Sequence, residues 1–125
     1  MAETKPTRDQ ERAQTAYSRV DDVRKDASPG GRYAKEYRTQ CLHLPALIHH
    51  CGLCQALAFL QAKGAGAEGK KHFQQILNDL ATVSKLAELP AKARTADVQE
   101  YQRMTMEAMA CAEWLKRYAE ALLKE

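Results

Sequence analysis

The run HHCGLC, His49 to Cys54, gathers the residue types with the most chemistry to offer. Two imidazoles stand beside a Cys-x-x-Cys pair. Thiolates and imidazole nitrogens are what zinc selects, and a Cys-x-x-Cys pair at a helix N-terminus is what thiol–disulfide enzymes use. A structural zinc needs four converging ligands. Cys51 and Cys54, or His50 and Cys54 at i, i+4, supply two, and Cys111 could add a third. Zinc-binding pairs usually come in twos, however, and the other candidates, Cys41, His43, His72 and Cys111, are isolated. The redox motif needs a preceding strand, and no window here alternates with period two. Packing is the favoured reading. Around the helix that carries the run, Leu47, Ile48, Leu53, Ala56, Leu57, Ala58, Phe59, Leu60 and Ala62 point in every direction, and a helix apolar all round is a buried one. Free cysteine behaves there as a small hydrophobe. Gly52 lets a neighbouring helix approach. The competing reading is a small metal-binding or protein-adaptor protein centred on Cys51 and Cys54.

No catalytic constellation is found. GAGAEGKK, Gly64 to Lys71, lacks the GxxxxGK[ST] pattern of a phosphate-binding loop, because His72 follows Lys71 and no strand precedes it. The serines have no evident His/Asp partners. A non-enzyme with no catalytic residue, no resident metal and no cofactor is expected.

The basic residues are the remaining candidates. Arg8, Arg12 and Arg19 share a stripe of the first helix, and Lys35 and Arg38 follow on the second. Lys63, Lys70 and Lys71 flank the glycine-rich loop, and Lys116 and Arg117 sit near the end of the last helix. The simplest reading is a solvated surface with acidic residues interleaved. The alternative is a groove that tracks a phosphate backbone, with Gly64, Gly66 and Gly69 letting the lysines adapt. Five contacts to a single strand would give a salt slope of roughly −3.5. Exposed aromatics look scarce, since the two Phe and Trp114 read as packing residues, so backbone contact is expected over base reading.

The elements that carry these residues are helical. Thr7 with Gln10 forms a capping box after Pro6, followed by Ala13, Ala16, Tyr17, Val20, Val23 and Ala27 at helical spacing. SPGG, Ser28 to Gly31, stops that helix. A second helix carries Tyr33, Tyr37 and Cys41. Pro45 reads as the first turn of a third, running to about Lys63. A fourth carries Phe73, Ile76, Leu77, Leu80, Val83 and Ala87, with Pro90 at or after its end. A fifth begins near Asp97, with Glu100 as its capping partner, and lines its inner face with Val98, Tyr101, Thr105, Ala108, Ala112, Leu115, Ala119 and Leu122. The expectation is an all-α, single-domain bundle of about five helices over residues 1–125, with one central buried helix and a flexible N-terminal segment over about residues 1–6.

Composition agrees. The chain has 125 residues, 45% of them hydrophobic and 28% charged, which suits one soluble globular domain. No apolar run approaches the roughly 20 residues that span a membrane. The N-terminal run lacks the apolar stretch of a signal peptide, and a cytoplasmic location is expected. Four cysteines in a chain of this length do not read as a disulfide framework. The net charge is +3. Its excess lies in the N-terminal half, which permits an anionic partner without demanding one.

Three segments together resemble a known family. LPALIHHCGLCQALAFLQAK, Leu44 to Lys63, resembles its P-x-LI-x₃-GL-x-Q-x-LAF-x₃-K core. YQRMTMEAMACAEWLKRYAEALL, Tyr101 to Leu123, resembles its Y-x₂-(L/M)-T-x-EA ending, closing on WLKR(F/Y)AEAL. RDQERAQTAYSRV resembles its opening. The family is the small subunit of the type III-B, or Cmr, CRISPR RNA-guided effector complex, and the match spans nearly the whole chain. The resemblance implies an all-α, non-catalytic subunit. It implies stacking of copies into a short filament beside the backbone and large subunits, where guide RNA and target RNA pair, in antiviral defence. Gly52, Leu53, Gln55, Ala56, Phe59 and Trp114 match family positions and are assigned mostly to packing. Lys63, Lys116 and Arg117 also match and are the better candidates for RNA or neighbour contact. Arg12, Arg19, Lys70 and Lys71 are candidates from charge geometry alone. Cysteine is not expected of the family at 51 and 54, which leaves no inherited reason for a metal.

Overall fold

The computed structural model describes residues 4–26, 31–65 and 71–123, and among them there is helix and no strand. Six helices follow one another: α1 (Arg8–Asp26), α2 (Arg32–Cys51), α3 (Leu53–Gly64), α4 (Lys71–Ser84), α5 (Leu89–Thr95) and α6 (Val98–Leu122). The all-α expectation holds, with one helix more than the spacing indicated.

Helix α1 starts where its capping box places it. The Gln10 amide donates to Thr7 Oγ1 at 3.0 Å, and the Thr7 amide donates to Gln10 Oε1 at 2.7 Å. Two N-terminal donors are thereby satisfied reciprocally. Ala16, Val20 and Val23 form its buried face. Helix α6 starts the same way, with Asp97 accepting the Glu100 amide at 2.8 Å. Its buried face is Met104, Ala108, Cys111, Ala112, Leu115 and Ala119. Val98, expected inside, is exposed on the first turn.

The second boundary falls elsewhere than expected. Helix α2 runs through Pro45 and ends at Gly52. An interior proline forfeits one backbone hydrogen bond and crowds the preceding turn, at about 3 kcal/mol. Here Pro45 is buried with Leu44 and Ile48, and that burial offsets the cost. Gly52 has φ 83° and ψ 159°, a region only glycine enters readily. Its amide still donates to the Ile48 carbonyl at 2.9 Å, closing α2. Its carbonyl accepts the Ala56 amide at 3.0 Å, opening α3. The Tyr101 hydroxyl of α6 accepts the Cys54 amide at 3.0 Å, satisfying another orphan donor of the new helix.

This break also replaces the single central helix. Two helices share its residues and each buries one face: Leu44, Pro45 and Ile48 on one, Leu53, Ala56, Leu57 and Leu60 on the other. Ala46, Ala58 and Ala62 are exposed, and Phe59 is 36% exposed. The extra helix, α5, has Pro90 in its first turn, so this proline opens a helix rather than only following one.

Helix α4 ends in a Schellman motif. The Leu86 amide donates to the Ala81 carbonyl at 3.0 Å and the Lys85 amide to the Thr82 carbonyl at 3.2 Å. Lys85 occupies the left-handed position, φ 61°, where glycine is usual. Helix α6 packs along α1, α2 and α4, while α3 packs on α2, α4 and α5. At the α3–α4 corner, a Cβ on Gly64 would lie 3.0 Å from the Gln74 amide nitrogen, so glycine permits that approach. Among the described residues, no helix is long and apolar enough to cross a membrane.

Candidate nucleic-acid interface

Arg8, Arg12 and Arg19 of α1 turn toward carboxylates of other helices. Arg12 grips Glu107 of α6 with two hydrogen bonds, Nε to Oε2 at 2.9 Å and a terminal nitrogen to Oε1 at 2.6 Å. Arg8 adds a bond to Glu107 Oε2 at 2.7 Å and another to the Val83 carbonyl at 2.9 Å. This bidentate pairing is the strong form of an Arg–carboxylate contact. Arg12, foremost, holds the Glu107 carboxyl down at about 2, against the opposing effect of burial. The Cys111 thiol donates to the same carboxylate at 3.2 Å, and burial pushes that thiol up. On the rim, the Trp114 indole N–H donates to Asp9 Oδ1 at 2.9 Å.

Arg19 is engaged in the same manner, by Asp79 of α4, a wholly buried carboxylate. Arg19 Nε donates to Asp79 Oδ1 at 2.6 Å, Gln75 Nε2 donates to it at 2.9 Å, and the Tyr37 hydroxyl donates to Oδ2. Burial pushes the Asp79 carboxyl up, while bonds from Tyr37 and Arg19 pull it back. A buried polar group of this kind is tolerable only with its partners in place. Arg12 and Arg19 thus tie α1 to α6 and α4 rather than forming an outward stripe.

The other basic candidates divide into two sets. Lys63 is exposed at the end of α3, its ammonium 5.7 Å from the centroid of the Phe59 ring. Lys71 is exposed at the start of α4, one turn before the Gln74 that packs on Gly64. Lys116 is half-buried on α6, and Arg117 is exposed beside it, 3.2 Å from Glu120. Lys70 lies outside the described residues. Helix α3 meets α6 at the Cys54–Tyr101 hydrogen bond.

A more uniform surface surrounds Lys63. No Asp or Glu occurs between Glu36 and Glu68, nor between Glu88 and Asp97. Most of α2, all of α3 and all of α5 are free of carboxylates. Helices α3 and α5 enclose a groove of about 260 Å³ lined by Cys54, Gln55, Leu57, Ala58, Gln61, Pro90 and Arg94. Arg94 on one flank of α3 and Lys63 on the other border a strip of small and amide side chains, Gln55, Ala58 and Ala62. Among the described residues no carboxylate pairs with Lys63, Lys71, Lys92, Arg94 or Lys116. Arg94 and Lys92 were missed from sequence. The signal that could have found them is the missing acid, not the clustered base.

The opening motif also falls into place. His49, His50 and Cys51 are exposed, and Cys54 is half-buried. The packing reading of the pair fails for Cys51 and holds only in part for Cys54, because α2 turns that side outward just before the Gly52 break, whereas Cys41 and Cys111 are the buried cysteines. Among the described residues, no three His, Cys, Asp or Glu side chains are grouped to hold a metal ion. Leu53 and Ala56 are packing residues as expected, whereas Gln55 is exposed and Phe59 partly so.

A profile described as "CRISPR-associated protein (Cas_Cmr5)" matches residues 8–122. The chain belongs to the Cmr5 family. The "CRISPR system Cmr subunit Cmr5" of Thermus thermophilus is 42% identical over 122 residues, covering 95% of this chain and 98% of the relative. The crystal structure of a CRISPR-associated Cmr5 family protein from the same organism superposes with a TM-score of 0.82 at 41% identity. It covers 96% of this chain and 100% of that one. The family match thus begins with the first residue of α1 and ends with the last of α6, taking in both the arginine-clamped seam and the acid-free face.

Proposed function

We propose that the chain is the small, non-catalytic subunit of a type III-B CRISPR effector ribonucleoprotein. Copies stack beside the backbone and large subunits and help hold target RNA along the guide RNA. Family membership supports the complex. The observation that carries the RNA-holding role is the acid-free α3–α5 surface, with Lys63 and Arg94 on its two flanks and Lys71 at its corner. A strand of phosphates laid along α3 and α5 meets helices that carry no carboxylate, and each neutralised phosphate releases counterions. Lys116 and Arg117 serve as a second contact, to RNA or to a neighbouring subunit. Arg12 and Arg19 we assign to the fold, since carboxylates of this chain already hold them.

The test is purification of the tagged chain from its native cells, with sizing of the RNA and protein that accompany it. A large particle with several subunits and short RNAs of defined length is expected. A chain recovered alone and free of RNA would overturn the proposal.

A further inference from the structure

Phe59, read from sequence as a packing residue, is one of three exposed aromatics among the described residues, with Tyr17 and Tyr33. It lies on the acid-free face, 36% exposed, with its ring edge-on to Phe73 at a centroid distance of 5.8 Å. That contact fixes the ring from one side. Over the ring stands the Lys63 ammonium, 5.7 Å from the centroid. An exposed cation–π contact is weak and readily exchanged. A fixed, half-exposed ring beside a mobile cation has the two parts of a single-stranded nucleic-acid contact: a platform for a base and a charge for its phosphate.

We infer that Phe59 is a base-stacking platform for single-stranded RNA, and that Lys63 swings from the ring to the adjacent phosphate when a base takes its place. Arg94, across the groove on α5, receives the backbone on the other flank of α3. The inference rests on the RNA-holding role proposed above and names how that face binds: through one stacked base of any identity, with phosphate contacts on either side. Other aromatics among the described residues are poorer platforms: Tyr33 lies one turn before Glu36 on α2, and Trp114, Tyr118 and Tyr17 form a second group beside acids. Trp114 is tied to the Asp9 carboxylate, and Glu113 and Glu120 lie on the same helix.

The experiment uses a short single-stranded RNA carrying 2-aminopurine, whose fluorescence falls when it stacks on an aromatic ring. It is titrated at low salt with the full-length chain, and in parallel with the purified particle. Wild-type protein is expected to bind in a salt-dependent manner and to quench the probe. Phe59→Leu, which keeps an apolar side chain against Phe73, is expected to weaken binding by about tenfold and to abolish quenching. Phe59→Trp is expected to restore both. Lys63→Gln is expected to keep the quenching while lowering the salt slope by about 0.7. If Phe59→Leu binds and quenches like wild type while Lys63→Gln still lowers the slope, the stacking role falls and RNA holding stands. If wild type shows no salt-dependent RNA binding, alone or in the particle, both fall. If Phe59→Leu instead sheds other subunits from the particle with RNA binding unchanged, the face is a protein interface and the inference is overturned.

Discussion

On α1, three arginines each meet a carboxylate of this chain: Arg8 and Arg12 meet Glu107, and Arg19 meets Asp79. On α3 and α5, Lys63 and Arg94 stand where no carboxylate of the described residues pairs with them. Both regions contribute to the same mild positive charge. In the first, charge is neutralised inside the molecule and holds helices together. In the second it faces outward from helices that carry no acid. A count of lysines and arginines therefore says little about a partner until the positions of the acids are known.

That contrast is broken most severely by removing a carboxylate from the first region. Asp79→Ala leaves Tyr37 and Arg19 without their buried acceptor. It is expected to cost about 3–5 kcal/mol in urea unfolding. Lys63→Ala or Arg94→Ala on the open face is expected to change stability by no more than about 0.5 kcal/mol each.

Glu107 sharpens the contrast through pH. Its carboxyl, ordinarily near 4.5, is held at about 2 in the fold. A depressed acid adds stability that is fully present above the unfolded value and is lost as pH falls toward the folded one. Glu107→Gln is expected to cost about 3 kcal/mol at neutral pH. The difference from wild type should close between about pH 4.5 and pH 2, read from unfolding curves over that window. Asp79 has the opposite sign. Raised by burial, its shift favours the fold below the usual carboxylate value, and that part is lost as pH rises through the folded value.

Gly52 sets the break at which α3, the helix of the open face, begins. Gly52→Ala meets no close neighbour, since the Tyr101 hydroxyl would lie 3.7 Å from the new Cβ. The backbone at φ 83° is nonetheless closed to alanine, and a loss of about 1–3 kcal/mol is expected in thermal or urea unfolding. A neutral result would mean that the α2–α3 break is not held by this residue.

Local signals were legible in the sequence. Thr7 with Gln10 and Asp97 with Glu100 start their helices as read, because a capping box is closed within four residues. Ala16, Val20 and Val23 of α1, Phe73 to Val83 of α4 and most of the α6 face were legible from their spacing, whereas Tyr17 and Ala87, read with them, are exposed and Ala27 lies outside the described residues. Pro45 misled because a proline is a strong boundary signal, and only burial of Leu44 and Ile48 around it explains its place inside α2. The end of α4 was hidden because Lys85 fills a position where glycine would have announced itself. The ion pairs were hidden for a different reason. Arg12 and Glu107 are 95 residues apart, and Arg19 and Asp79 are 60 apart, so no local pattern joins them. The acid-free run from Tyr37 to Ala67 was in plain view.

The most direct test compares salt dependence between two charge-matched double variants. Lys63→Gln/Arg94→Gln removes two cations from the open face. Arg24→Gln/Arg103→Gln removes two exposed cations that are already paired with Asp21 and Glu100. Single-stranded RNA binding is measured across a series of salt concentrations for each, in the assembled particle. The first pair is expected to lower the magnitude of the slope by about 1.4 and the second to leave it nearly unchanged. Equal losses from both would mean that RNA senses only net charge and would contradict the α3–α5 face as its binding surface.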